Sequence, residues 1–363
     1  MKKNLVALMC VAALSATAFV GCGSEEAAET TPAPAPATES TPAPAAESSS
    51  SAVAAEGELL TGIGTSVSIA DSVDASSEGD GTAQCDATIA AVTVDSNGAI
   101  VECVIDIAQT KIGVSADGKI TSDLNADYPS KRELGDSYGM KKASVIGKEW
   151  YEQADGFAEW AVGKTKSDIS GMAISEGLAG DADLAASVSI HVTGFQAAVL
   201  EAMDNAVAGG AQAGDKLGLG VSTNIAKSVD ATADEDGTAE AYTTISVLTV
   251  NGDGVITSSI LDAVQAKITF DANGIITADK SAEVLSKNEL GDAYGMKAAS
   301  AIGKEWNEQA ASYAEYTVGK TVDEVQGTAV EEGRAADADL AASVSVHITD
   351  FNAVIAKAVA NAK

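Results

Sequence analysis

The chain has 363 residues, 46% apolar and only 4% aromatic, with 22 Lys and Arg against 53 Asp and Glu, for a formal net charge of −31. That balance argues against a nucleic-acid partner, whose phosphates require clustered Lys and Arg, and against tight docking on anionic lipid. A chain of this length has room for more than one domain core.

The first residues read "MKKNLVALMCVAALSATAFVGCGSEE". Lys2 and Lys3 form a positive start, and Leu5 to Val20 is an apolar run too short for a comfortable membrane span. Its end, "FVGC", resembles a bacterial lipobox, with Phe19 where Leu is usual, Gly21 before the cut and Cys22 as the lipidated residue. Residues 1–21 therefore read as a lipoprotein signal peptide. The mature protein is expected on the extracytoplasmic face of the cell membrane, anchored at Cys22; secretion with an unlipidated Cys22 is the alternative. Residues 22–57 are Pro, Ala, Ser, Thr and Glu with almost no large apolar side chain, the composition of a disordered tether. At about 3.1 Å per residue such a tether reaches on the order of 100 Å.

"ELGDSYGMKKASVIGKEW" recurs as "ELGDAYGMKAASAIGKEW", which sets Gly139 against Gly295, an offset of 156. The same offset pairs Gly62 with Gly218, Asp106 with Asp262, Trp150 with Trp306 and Ser187 with Ser343. Two tandem domains are expected, 58–207 and 215–363, joined by a flexible linker at 208–214; solenoid units are far shorter than this period. Within the first copy an opening strand precedes "TAQCDATIAAVTV", the turn "DSNG" and "AIVECVIDIAQTKIGV", strands rich in Val, Ile and Thr around Asn-Gly. The turn "SADGK" leads to "ITSDLN". The period then changes: Ile146, Trp150, Ala154, Phe157 and Ala161 fall at helical spacing after Ser144, read as an N-cap. "TKSDISGMAI" gives a short helical turn, "DADLAASVSIHVTGF" reads as a strand, and "GFQAAVLEAMDNAV" as a closing helix. Strands followed by helices indicate an α+β fold.

Cys10 leaves with the signal peptide and Cys22 takes the lipid, so Cys85 and Cys103 remain in an oxidising compartment. Their counterparts Ala241 and Ser259 are both non-cysteine, which favours a bonded pair. A hairpin turning at Asp95 to Gly98 opposes it, placing Cys85 near position 108 and several pairs from Cys103. No CxxCH suggests haem and no CxxC pair suggests zinc; one histidine per copy makes a poor metal site.

As a strand, the stretch from Asp181 puts Ser187, Ser189, His191 and Thr193 on one face and Ala186, Val188, Ile190 and Val192 on the other. Ser343, Ser345, His347 and Thr349 repeat the polar line. The bland reading is a solvent-facing strand edge with Thr193 as an N-cap. The serine line resembles a divergent form of the covalent flavin-attachment motif of FMN-binding domains. The lipobox, the tether, and two copies of "ELGDxYGMKxAS" and "IGKEWxEQA" together resemble the flavin-bearing lipoproteins of Gram-positive extracellular electron transfer.

That resemblance covers nearly the whole mature chain. It implies two FMN-binding-type domains, each a twisted antiparallel-rich sheet with packed helices. It also implies one FMN per repeat, joined by a phosphoester to a hydroxyl and installed by a separate flavin transferase. Electrons would pass from a membrane quinone or NADH dehydrogenase-type donor to extracellular acceptors such as ferric iron or soluble shuttles. Counting from Asp181, the motif places Ser187 and Ser343 at the acceptor position and Ser189 and Ser345 at the trailing hydroxyl. Ala185 and Ala186 replace the usual Gly-Ala pair, which leaves noncovalent FMN open. Thr193 and Thr349 rank third: each sits at an expected helix N-terminus, a favourable place for phosphate, but Asp350 follows Thr349. His191 and His347 would hydrogen-bond the phosphate or the ring edge.

Asp106, Gln109 and Lys111 recur as Asp262, Gln265 and Lys267 inside otherwise apolar strands. A glutamine amide matches the isoalloxazine edge and a nearby lysine stabilises the reduced anion, whereas edge-strand polarity is the competing explanation. Tyr138 and Met140, with Tyr294 and Met296, offer a loop platform for a flat ring or else plug the core, the role expected of Trp150 and Trp306. The expectation is an electron carrier rather than a catalyst, with no catalytic acid or base. A non-redox surface binding lipoprotein, or a precursor whose signal segment yields a signalling peptide, are the rival readings.

Overall fold

Val, Ile and Thr at high density fold 81–94 and 100–114 into one long hairpin. The computed structural model describes residues 57–363; the expected signal peptide, Cys22 and the tether up to residue 56 lie outside the described residues. The first repeat contains β1 (Glu58–Ser68), β2 (Gly81–Val94), β3 (Ile100–Val114), α1 (Lys131–Leu134), α2 (Trp150–Ala161), α3 (Lys166–Ser170), β4 (Ile174–Ser175), β5 (Leu178–Ala179), α4 (Ala182–Ala185) and α5 (Thr193–Asp204). β6 (Val207–Gln212) lies in the connection, and the second repeat contains β7 (Lys216–Asn224), β8 (Gly237–Val250), β9 (Ile256–Phe270), α6 (Lys287–Leu290), α7 (Trp306–Thr317), α8 (Val322–Gln326), β10 (Val330–Glu331), β11 (Arg334–Ala335), α9 (Ala338–Ala341) and α10 (Thr349–Asn361). The fold is α+β, with antiparallel sheets ordered β3-β2-β1-β6 and β7-β8-β9. At the β2–β3 turn the Asp95 carboxylate accepts the N–H groups of Asn97 and Ala99 at 2.8 and 2.9 Å, and Gly98 takes φ +77°.

Each sheet is covered on both faces. On one face of the first sheet, Trp150, Phe157 and Phe195 pack against Val92, Ile105 and Ile107. The other face meets the second repeat: Ala87, Ile89 and Ala91 join Ile245, Val247 and Val264, and farther along Cys85, Ile112 and Val114 join Ala239, Ile268 and Phe270. Strand β2 is therefore buried almost throughout, and its second half, Ile89 to Val92, is a continuous apolar run, as a doubly buried strand requires. Residues 208–212 of the expected linker do not run free, because β6 pairs with β1, Leu60 lying opposite Ala208. Polar links cross the same boundary. Thr61 and Ser258 share a hydrogen bond of 2.7 Å, and the Leu217 N–H donates to Glu102 at 2.9 Å.

Two local expectations are corrected, and the open question of the cysteines is decided as the hairpin argument has it. Residues 181–195 are not a strand. Asp181 caps α4 by accepting the N–H groups of Asp183 and Leu184 at 3.0 and 2.9 Å, and α5 begins at Thr193. The buried side chains are Leu184, Val188 and Val192, while Ala186 is exposed, so the alternation of small residues was not a pattern of burial. Ser144 is not the N-cap of α2: Gly147 turns at φ +65°, and Glu149 caps the helix with Glu152 in a reciprocal box. Cys85 stands opposite Thr110 and Cys103 opposite Val92, seven register positions apart, and both are free. That is about 23 Å along the hairpin, far beyond disulfide reach. Among the described residues no helix is long and apolar enough to cross a membrane.

Candidate functional site

Helices α1 and α6 are single turns, each held by a capping box: Ser130 with Glu133, and Ser286 with Glu289. The box fixes the next residue, a lysine, against the sheet. Lys287 is 3% exposed, and its Nζ lies 4.4 Å from the Tyr294 ring centre, 4.5 Å from Tyr242 and 4.9 Å from Trp306. It donates to the Tyr242 hydroxyl at 2.9 Å. In the first repeat Lys131 lies 5.0 Å over Tyr138 and 5.6 Å over Trp150, with Asp86 at the position of Tyr242. Sequence reasoning missed both lysines, because a charged residue in a first helical turn reads as solvated. The "SKRE" and "SKNE" capping boxes beside an aromatic loop were the available signal.

Burial pushes the Lys287 amine down to about 7, with Lys227 nearby acting in the same direction. A lowered amine pKa contributes stability that is present above the ordinary lysine value and is lost as pH falls through about 7. Between pH 7 and 10 the native protein is expected to gain stability relative to Lys287→Met, by up to about 1.4 kcal/mol per pH unit. Urea titrations of the pair at pH 6, 8 and 9 test this, and a pH-independent difference refutes it.

Several expected site residues do converge here. Gln109 donates to Asp86 at 2.7 Å and accepts from the Tyr138 hydroxyl at 3.5 Å; Gln265 donates to Glu240 at 2.9 Å and accepts from Tyr294 at 3.1 Å. Gln153, fully buried, gathers the rest: its amide nitrogen donates to the Lys148 carbonyl at 3.2 Å and to Ser144 at 3.3 Å, and it approaches the Met140 sulfur at 3.5 Å. Its Oε1 accepts from the Ser189 backbone and hydroxyl at 2.8 and 3.1 Å. Gln309 receives Ser345 in the same way, at 2.8 and 3.0 Å, and Met296 lies against the second core.

Other expected residues stand apart. Lys111 and Lys267 are exposed, the latter 3.9 Å from Glu240. Asp106 and Asp262 are buried and tie α1 and α6 to the sheet, accepting the N–H groups of Arg132 at 3.1 Å and Asn288 at 3.0 Å. Burial pushes both carboxyls up to about 6. Ser187 and Ser343 bond back to the carbonyls of Leu184 and Leu340 at 3.3 and 3.1 Å. Thr193 and Thr349 differ: both are exposed, and among the described residues their hydroxyls meet no hydrogen-bond partner. Each opens a long helix whose preceding residue, Val192 or Ile348, supplies no side-chain cap, so first-turn N–H groups stay available. His191 and His347 are exposed beside them, their rings against Gly177 and Gly333, where an added Cβ would come within 3.1 and 3.2 Å.

The donor set therefore fits the phosphate end of an FMN at Thr193 and Thr349. It does not fit the ring edge at Gln109 and Gln265, whose amides are already bonded within the chain.

No family model matches the chain, and no solved structure matches it. A chlorophenol reductase of Desulfitobacterium hafniense is 29% identical over 123 residues, a match covering 31% of this chain and 37% of that protein. The chain thus spans little more than a third of that relative's length.

Proposed function

We propose that the protein is an extracytoplasmic, lipid-anchored electron carrier of two tandem FMN-binding-type domains, with FMN esterified through its phosphate to Thr193 and Thr349. The observation that carries this reading is the contrast among three hydroxyls: those of Ser187 and Ser189 are bonded within the chain, while Thr193 stands free at an uncapped helix start. The second repeat repeats the contrast. A partial relative named as a reductase is consistent with redox chemistry. Bound FMN supplies the electron transfer. The chain supplies a hydroxyl for attachment, helix N–H groups for the phosphate and a histidine at its side. A flavin transferase installs the group, a membrane quinone or NADH dehydrogenase-type protein donates electrons, and ferric iron or soluble shuttles accept them. The tether holds both carriers near donor and acceptor.

Protein made alongside a flavin transferase should be yellow after denaturation, with FMN mass on the peptides containing Thr193 and Thr349. Thr193→Ala and Thr349→Ala should each remove one flavin, while Ser187→Ala and Ser189→Ala keep both. Asp350 places an anion in the first turn of α10 where α5 has Gly194, so Thr193 should load faster, and Asp350→Gly should narrow the gap. Colourless protein with unmodified peptides overturns the proposal.

A further inference from the structure

We propose that the junction between the repeats holds a second binding site, for a small uncharged apolar molecule that carries a hydroxyl donor, of the phenol or hydroquinone class. A cavity of about 690 Å³ opens there, with Ile63 and Asn205 of the first repeat facing Ser259, Leu261, Asn307 and Ala311 of the second. Its size falls within the range of small-molecule pockets. Exchanging the roles of the two repeats gives a matching cavity of about 770 Å³, where Leu219 and Asn361 face Cys103, Arg132, Tyr151 and Asp155.

The two cavities differ in a way that identifies the ligand. In the second one the chain satisfies its own polar groups: Arg132 pairs with Asp155 at 2.8 Å, and the Tyr151 hydroxyl donates to Asp136 at 3.1 Å. At the 156-residue offset Arg132 becomes Asn288, Tyr151 becomes Asn307, Asp155 becomes Ala311 and Cys103 becomes Ser259. The ion pair and the phenol side chain are both gone. Left behind are Ser259 Oγ and Asn307 Oδ1, buried atoms without a hydrogen-bond partner among the described residues. Both side chains line the cavity, and a χ rotation that turns either oxygen toward it would let a ligand hydroxyl bond it. The first repeat carries a phenol of its own at the position Asn307 vacates. The lining includes Glu289 and Glu315 but no Lys, Arg or His, so phosphates and carboxylates have no counter-charge there.

The site is independent of any flavin, so the test uses protein made without a flavin transferase. The probes are 2-naphthol, its methyl ether 2-methoxynaphthalene, which lacks the donor, and the anion 2-naphthoate, followed by calorimetry and ring fluorescence. Saturable binding of one 2-naphthol per chain is expected, at least about tenfold weaker binding of the ether, and no binding of the naphthoate. Ala311 lies exposed at the rim, so Ala311→Trp should fold with an unchanged urea midpoint and lose the naphthol. Ser259→Ala with Asn307→Leu should bring naphthol and ether to within threefold of each other. The inference is overturned by equal affinities for naphthol and ether, by naphthol binding that survives in Ala311→Trp, or by no saturable binding. Should the variants fail to fold, the three probes on the unaltered protein decide it.

Discussion

Neither half of the protein is expected to fold as a monomer when the chain is cut between Gln212 and Lys216. Ala83, Ala87, Ile89, Ala91, Ile112 and Val114 are at most 0% exposed in the intact chain, and what they face belongs to the second repeat. Removing that repeat exposes a whole sheet face, at roughly 25 cal/mol for every Å² of apolar surface returned to water. Typical domains hold only about 5–15 kcal/mol of net stability, which such a loss consumes. The separate halves should aggregate or pair with themselves, and mixing them during refolding should recover the intact spectrum. In the uncut chain, Ile245→Asp should abolish the cooperative transition, since it puts an unpaired carboxylate at a fully buried position on the shared face. A monomeric half that melts sharply would show that the shared core is dispensable.

Gly220→Ala should be among the most damaging single substitutions of the smallest size. A Cβ at Gly220 would sit 2.1 Å from the Val354 carbonyl oxygen on α10, and one at Gly64 would sit 2.1 Å from the Ala198 carbonyl on α5. Both obstacles are helix backbone, which cannot rotate away as a side chain does. The helix must lift from the strand, opening the packing around Phe351 and Ile355. A loss of about 3 kcal/mol or more is expected, at the upper end of the about 1–3 kcal/mol typical of overpacked core positions, because neither backbone has room to relax. Gly252→Ala is the control: nothing lies within 4 Å of its added Cβ, and urea unfolding should move by no more than about 0.5 kcal/mol. Equal midpoints for the two variants would refute the close approach.

The long hairpins, their turns and the closing helices were legible because each signal is local. Asp95 to Gly98 carries its own turn chemistry, and the closing helices hold their apolar period over three turns. The stretch from Asp181 to Val192 was not legible. Its apolar residues at 184, 188 and 192 also satisfy a period of two, and the capping by Asp181 decided for the helical turn. At the site, the hydroxyls could be found by reading residues, but not which of them are occupied. That depended on Gln153, which reaches Ser189 across 36 residues of sequence.

Amino-acid order alone established the 156-residue recurrence, the strand-then-helix succession of each copy and the segments bearing its hydroxyls, histidines and aromatics. Those features follow from nearest-neighbour conformational preferences and from spacing, which a linear string records. Packing settled the rest: that the repeats share a core, that Lys131 and Lys287 turn inward, and that orphan polar atoms are left beside one of the two junction cavities only. Each of these is a meeting of surfaces distant along the chain, and burial belongs to the pair of surfaces rather than to either one.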